Sequence, residues 1–144
     1  MPRARVLLAD DHPQVAEELR RLLEPEFEVV AVVADGHALL RQAEIVQPDV
    51  VVTDIAMPGG DGITVARELL ARDPGTRVVL VTVHDDPELV ERGYAAGALA
   101  YVLKVTAAHN LAPAVRAVLR GERYASTRAS RGGAAPRRDD KESG

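Results

Sequence analysis

Five short apolar runs, spaced along the first hundred residues, constrain this chain more than any other feature. They are RVLLAD (5–10), EVVAVVA (28–34), DVVVTD (49–54), RVVLVT (77–82) and AYVLK (100–104). Each is β-branched and nearly continuous, without the alternation of a strand that has one wet face, so each reads as a strand covered on both sides. Helical patterns lie between and after them. Val15, Leu19, Leu22 and Leu23 share one face of the first, with Pro13 near its start, where a missing N–H costs nothing. Leu39, Leu40, Ala43 and Val46 mark the second, and Ile63, Ala66, Leu69 and Leu70 the third. The fourth opens at Asp86-Pro87-Glu88, a cap followed by proline and an acid, and the fifth runs through Leu111, Val115, Val118 and Leu119 to stop near Gly121.

Strict strand–helix alternation implies a parallel sheet with right-handed crossovers and helices on both faces. The expected fold class is α/β, a flavodoxin-like, doubly wound (βα)5 three-layer sandwich of strand order 2-1-3-4-5. One domain over residues 1–122 fits the 144-residue length, and no solenoid-length repeat intervenes. After Gly121 the periodicity vanishes and Ser, Gly, Pro, Arg and Asp dominate, so residues 123–144 are expected to form a disordered tail. Aromatics are only 3%, which leaves Val, Leu, Ile and Ala to build the core. The absence of cysteine excludes disulfides, thiolate metal sites and thiol nucleophiles. No apolar stretch approaches the ~20 residues of a membrane-spanning helix, and the N-terminus has no signal-peptide core, so a cytoplasmic location is expected.

Ligands of an open α/β sheet sit beyond the carboxyl ends of its strands, where the strand order reverses. What each strand ends on therefore matters. The first ends on Asp10-Asp11, the third on Asp54, the fourth on Thr82 and the fifth on Lys104. Strands 1 and 3 would be neighbours, which brings three carboxylates together. Such a group repels itself unless a cation shares the site, and an all-oxygen donor set favours Mg2+, or Mn2+, over zinc. The four histidines lack metal-ligand spacing. A carboxylate beside Mg2+, a hydroxyl and a lysine is a workable phosphoryl acceptor, with Asp54 as nucleophile. The glycines of MPGGDG (57–62) would leave room for the group and for a close-lying loop. Taken singly, each residue also has a plainer role. Asp11 could cap the first helix, Asp61 and Asp86 read as caps, and Asp35 reads as a turn. Thr82 and Tyr101 fit ordinary strand positions, Lys104 a solvated charge, and His84 and His109 surface loops.

LLADDHP, VVTDIAMPGGDG, VVLVTVHDD and GALAYVLK together resemble the receiver domain of bacterial two-component response regulators. DDHP and the trailing AVLRGERY are most similar to receivers of the LuxR-type (NarL/FixJ) regulators, and the resemblance covers residues 3 to 124. It implies that Asp54 is phosphorylated, that Asp11 binds Mg2+ directly and Asp10 through water, and that the main-chain carbonyl of Ala56 is a further ligand. It implies that Thr82 is the switch hydroxyl, that Tyr101 turns inward with it, and that Lys104 pairs with the phosphate. Val83, Ala56, Ala100 and Val105 depart from the residues common in the family, and none removes a required group. The implied phosphodonor is a sensor histidine kinase or phosphotransfer protein, with output through helices 4 and 5 and strand 5, to an effector or in a homodimer.

The expectation is a stand-alone receiver and not an enzyme, its only chemistry gaining and losing its own phosphoryl group. The alternative within the fold is a LuxR-type regulator lacking its DNA-binding domain. An aspartate-based phosphohydrolase is disfavoured, because such enzymes usually carry a second aspartate where Ala56 stands. A nucleotide-binding module is disfavoured by the absence of a Gly-rich loop after the first strand. Sequence-specific DNA binding is not expected, nor membrane association. The chain carries 18 basic and 22 acidic residues, and its basic excess is confined to residues 123–144, with 6 basic against 3 acidic side chains.

Overall fold

A computed structural model describes residues 3–126. Five strands alternate with five helices: β1 (Arg5–Ala9), α1 (Pro13–Leu23), β2 (Glu28–Val33), α2 (Gly36–Val46), β3 (Val50–Asp54), α3 (Gly62–Arg72), β4 (Arg77–Thr82), α4 (Pro87–Ala95), β5 (Ala100–Leu103) and α5 (Ala107–Leu119). A 3-10 turn, Lys104–Thr106, joins β5 to α5, and a sixth strand, β6 (Tyr124–Ser126), follows. All pairings are parallel, in the order β2-β1-β3-β4-β5-β6. The doubly wound α/β fold is therefore as expected, with one strand added at the β5 edge. That strand lies in the segment the sequence reading gave to a tail; residues 127–144 of that segment lie outside the described residues.

The period-2 geometry of the strands sorts the core into two layers. Val6, Leu8, Val50, Val52, Val79, Val81 and Val102 face one side, where Leu19 and Leu23 of α1 and Leu111, Val115 and Val118 of α5 cover them. Leu7, Ala9, Val51, Val78, Leu80 and Tyr101 face the other, beneath Leu39 of α2, Ile63, Val65 and Leu69 of α3, and Val90 of α4. β3 and β4 lie in the middle and are almost wholly buried. β2 is only half-buried, although its run reads like the others, because it is an edge strand; Val32 is 44% exposed.

The helix starts follow capping chemistry. Asp61 accepts the Thr64 N–H at 2.9 Å and Asp86 accepts the Glu88 N–H at 3.0 Å. Asp35 goes further than a turn residue: it is the N-cap of α2 and accepts the Ala38 N–H at 2.8 Å. Each such cap contributes about 1 kcal/mol. Among the described residues no helix is long and apolar enough to cross a membrane.

Candidate functional site

Register alone assembles the site. Ala9 pairs with Thr53, so one step further along β1 and β3 come Asp10 and Asp54. Thr82 pairs with Leu103, so the next residue on that side is Lys104. All four side chains arrive at the carboxyl edge of the sheet, over the point where β1 separates β2 from β3 and the strand order reverses.

The Asp10 side chain is fully buried, and that of Asp54 is 5% exposed. Oδ1 of Asp10 accepts the His12 N–H at 2.9 Å, and Oδ1 of Asp54 accepts the Ala56 N–H at 3.1 Å. The Lys104 ammonium donates to Oδ2 of Asp54 at 2.9 Å. It also stands 2.8 Å from Oδ2 of Asp10, a close ion pair off the angle of a hydrogen bond, which leaves that buried oxygen without a hydrogen-bonded donor. Burial by itself would lower the pKa of Lys104, but its close pairing with the carboxylates of Asp10 and Asp54 outweighs it and holds the ammonium above the ordinary lysine range.

Asp11 is not a helix cap. The N-cap of α1 is His12, whose side chain makes no capping bond, and Oδ1 of Asp11 is buried with no hydrogen-bond partner. One ligand atom from each of Asp10, Asp11, His12 and Asp54 lies within 4.8 Å of the others. Sequence reasoning missed His12, because three consecutive residues on a strand-to-helix bend do not show metal-ligand spacing; its Nδ1 is 3.1 Å from Oδ1 of Asp11. Two buried carboxylate oxygens without hydrogen-bonded donors, in an anionic cluster, fit a hard divalent cation with oxygen ligands.

Thr82 and Tyr101 are brought near this cluster by adjacent strands but hold the loop after β4. The Thr82 hydroxyl accepts the His84 N–H at 3.2 Å, and the Tyr101 hydroxyl donates to the His84 carbonyl at 3.0 Å. Tyr101 is 1% exposed, and burial reinforced by the charges of Asp86 and Asp85 pushes its hydroxyl up to about 12. Ala56 sits exposed at the rim, two residues past Asp54.

The glycine loop has a backbone role. Gly59 and Gly60 adopt φ of +80° and +112°, which side-chain-bearing residues rarely reach, and Gly59 packs on Gly36 and His37 of α2. Gly62 lies directly under the acid: a Cβ there would stand 2.2 Å from the Asp54 carbonyl oxygen. The close-lying backbone expected of this loop is present.

The response regulator receiver domain family matches residues 6–116. The transcriptional regulatory protein YxjL of Bacillus subtilis is 38% identical over 120 residues, which are 82% of this chain and 55% of that protein. The transcriptional regulatory protein DegU of Brevibacillus brevis is 38% identical over 122 residues, 83% of this chain and 52% of its own length. The chain thus spans about half the length of these relatives. A two-component response regulator of the LuxR family from Aurantimonas sp. SI85-9A1 superposes with a TM-score of 0.83 at 36% identity, covering 88% of this chain and 91% of that one. The isolated receiver domain of RcsB from Salmonella enterica serovar Typhimurium, solved with the phosphomimetic BeF3−, gives 0.80 at 29% identity, covering 86% and 94%. Fold, acid cluster and sequence agree, and the chain belongs to the response regulator receiver domain family.

Proposed function

We propose that this receiver takes a phosphoryl group onto the carboxylate of Asp54 from a phosphohistidine of a sensor kinase or phosphotransfer protein. The observation that carries the reading is the buried Asp54 carboxylate held by Lys104 beside two buried carboxylate oxygens, on Asp10 and Asp11, that lack hydrogen-bonded donors. In the step, the donor's N–P bond breaks, an Asp54 O–P bond forms, and the leaving imidazole keeps the electron pair and takes up a proton. Asp10, Asp11 and Asp54, with the Ala56 carbonyl, would hold Mg2+, which when bound supplies positive charge to the phosphoryl oxygens. The Ala56 N–H fixes one Asp54 oxygen, and Lys104 is placed to pair with the incoming phosphoryl group. The Thr82 hydroxyl, at present turned to the loop after β4, is the group that would follow the phosphoryl inward and carry Tyr101's loop with it.

The donor would dock at the groove beside Lys104. This groove of about 650 Å3 between α1 and the start of α5 is lined by apolar residues, Leu19, Leu22, Val83 and Val105 among them, and by the charged Glu18, Arg21 and Lys104. Val83 and Val105 are 70% and 87% exposed, an apolar rim suited to a helical partner. Output runs through protein contact with α4, β5 and α5; the acidic domain is a poor electrostatic match for DNA.

The test is incubation with a small-molecule phosphodonor and Mg2+, followed by intact mass. One added phosphoryl in the wild type and none in Asp54→Asn supports the reading. Rapid multiple turnover of the donor would instead mark a phosphohydrolase.

A further inference from the structure

The chain leaving α5 turns at Gly121 and returns along the outer edge of β5. β6 pairs in the register Ala100↔Tyr124, Tyr101↔Ala125 and Val102↔Ser126. Three residues with no apolar pattern do not make a strand by themselves; here tertiary contacts hold them. Tyr124 donates its N–H to the Leu99 carbonyl at 3.0 Å and its hydroxyl to Oδ1 of Asn110 on α5 at 2.5 Å. The Tyr94 hydroxyl of α4 lies 3.5 Å from the Tyr124 carbonyl, and the Arg123 guanidinium stands 4.5 Å over the Tyr94 ring. One short strand bridges α4, β5 and α5.

Its far end is tied to the acid site. Oγ of Ser126 accepts the Leu103 N–H at 3.2 Å and lies 3.3 Å from Oγ1 of Thr106. Thr106 in turn donates to the Leu103 carbonyl at 3.2 Å. Leu103 and Thr106 flank Lys104 on the 3-10 turn, and Lys104 is the cation that holds Asp54 and Asp10. Ser126 therefore clasps both sides of the residue that reads the charge on Asp54.

We propose that β6 is a releasable strap, coupled to the acid site through the Leu103–Thr106 turn, whose hold weakens when Asp54 is loaded. This rests on the phosphoacceptor reading above. Lys104 now divides its ammonium between Asp10 and Asp54. A tetrahedral anion on Asp54 carries negative charge further outward, and the ammonium follows it. The turn moves with Lys104, and the Ser126 clasp, whose two partners lie within two residues of Lys104, loses its geometry. Three half-buried residues belong to the low-stability end of a fold, so a modest bias tips them. Coupling is reciprocal: what loading does to the strap, freeing the strap does to loading. Release uncovers the β5 edge between Tyr94 and Asn110.

The experiment uses the full chain, with Mg2+ and beryllofluoride as the probe and residue-resolved amide exchange as the readout. Resonance shifts at Asp10, Asp54 and Ala56 report loading. The Tyr124 amide, which donates from the strap to the Leu99 carbonyl, and the Leu103 amide, which donates to Ser126, report its hold. Saturation should speed exchange at both by about fivefold or more, and Ser126→Ala should bind the probe tighter by a similar factor. Ser126→Thr, which keeps the hydroxyl, should behave as wild type. Site shifts without a change at Tyr124 or Leu103, or unchanged probe affinity in Ser126→Ala, overturns the strap while leaving the phosphoacceptor reading in place. Absence of site shifts in the wild type overturns both.

Discussion

Gly62→Ala should destabilise the domain, although a glycine-to-alanine change in a helix ordinarily helps. Gly62 is the first residue of α3, where alanine gains at most about 1 kcal/mol of propensity. Against that stands the added Cβ, 2.2 Å from the Asp54 carbonyl oxygen, 2.9 Å from the Ile55 Cα and 3.0 Å from the Asp54 carbonyl carbon. All three are backbone atoms, and ordinary contact between such atoms needs roughly 3.5 Å. Relief therefore requires the end of β3 and the start of α3 to part by about 1 Å. The Gly62 N–H to Ile55 carbonyl bond at 2.6 Å resists that. Overpacking of this kind costs about 1–3 kcal/mol, so after the propensity gain a net loss of about 1–2 kcal/mol is expected, or roughly 3–8 °C in Tm. Because the displaced atoms carry Asp54, Mg2+ should also stabilise the variant less than the wild type. Gly93→Ala is the control. Its Cβ meets Leu80 Cδ1 at 2.7 Å, the far end of a flexible side chain that can turn away, so stability should stay within about 1 kcal/mol of wild type. Thermal and urea unfolding of the two variants decide the matter. Gly62→Ala as stable as Gly93→Ala would refute the close-approach argument.

Lys104→Met leaves Asp10 and Asp54 facing each other without a cation, so in metal-free buffer the Tm should fall, by an amount on the order of 3 kcal/mol of lost stability. Added Mg2+ should restore more stability to this variant than to wild type, by calorimetric titration, because the ammonium no longer competes for the same oxygens. The Tyr101 hydroxyl, raised to about 12 from an ordinary value of 10.0, contributes stability that is complete below pH 10 and lost as pH climbs toward 12. Tyrosinate absorbance should accordingly rise late, and Tyr101→Phe should flatten that part of the stability profile. Thr82→Ala should accept a phosphoryl group as wild type does but leave the loop after β4 unmoved; equal phosphorylation-induced shifts around Tyr101 in both proteins would count against the role given to Thr82.

The strand ends told most of the story in advance, because a strand buried on both faces tolerates an acid only at its exit. Asp10, Asp54 and Lys104 converge as their places after RVLLA, VVVT and AYVL implied. What stayed hidden depends on contacts between distant residues. β6 has no period to detect, since it is held by Tyr94, Asn110 and the turn at Lys104. His12 joins the carboxylates only because the chain bends into α1 directly after Asp11. The half-exposure of β2 reflects its place at the sheet edge, which composition does not encode.

The sixth strand also sets where the chain departs. α5 runs antiparallel to the sheet and would deliver whatever comes next to the edge opposite the acid site. β6, parallel to β5, carries the chain back, so that Ser126 leaves beside Lys104. Three residues of strand rise about 10 Å, enough to reverse the exit. Any motion of the Lys104 turn would therefore reach Ser126 through a single hydrogen bond rather than down the length of α5.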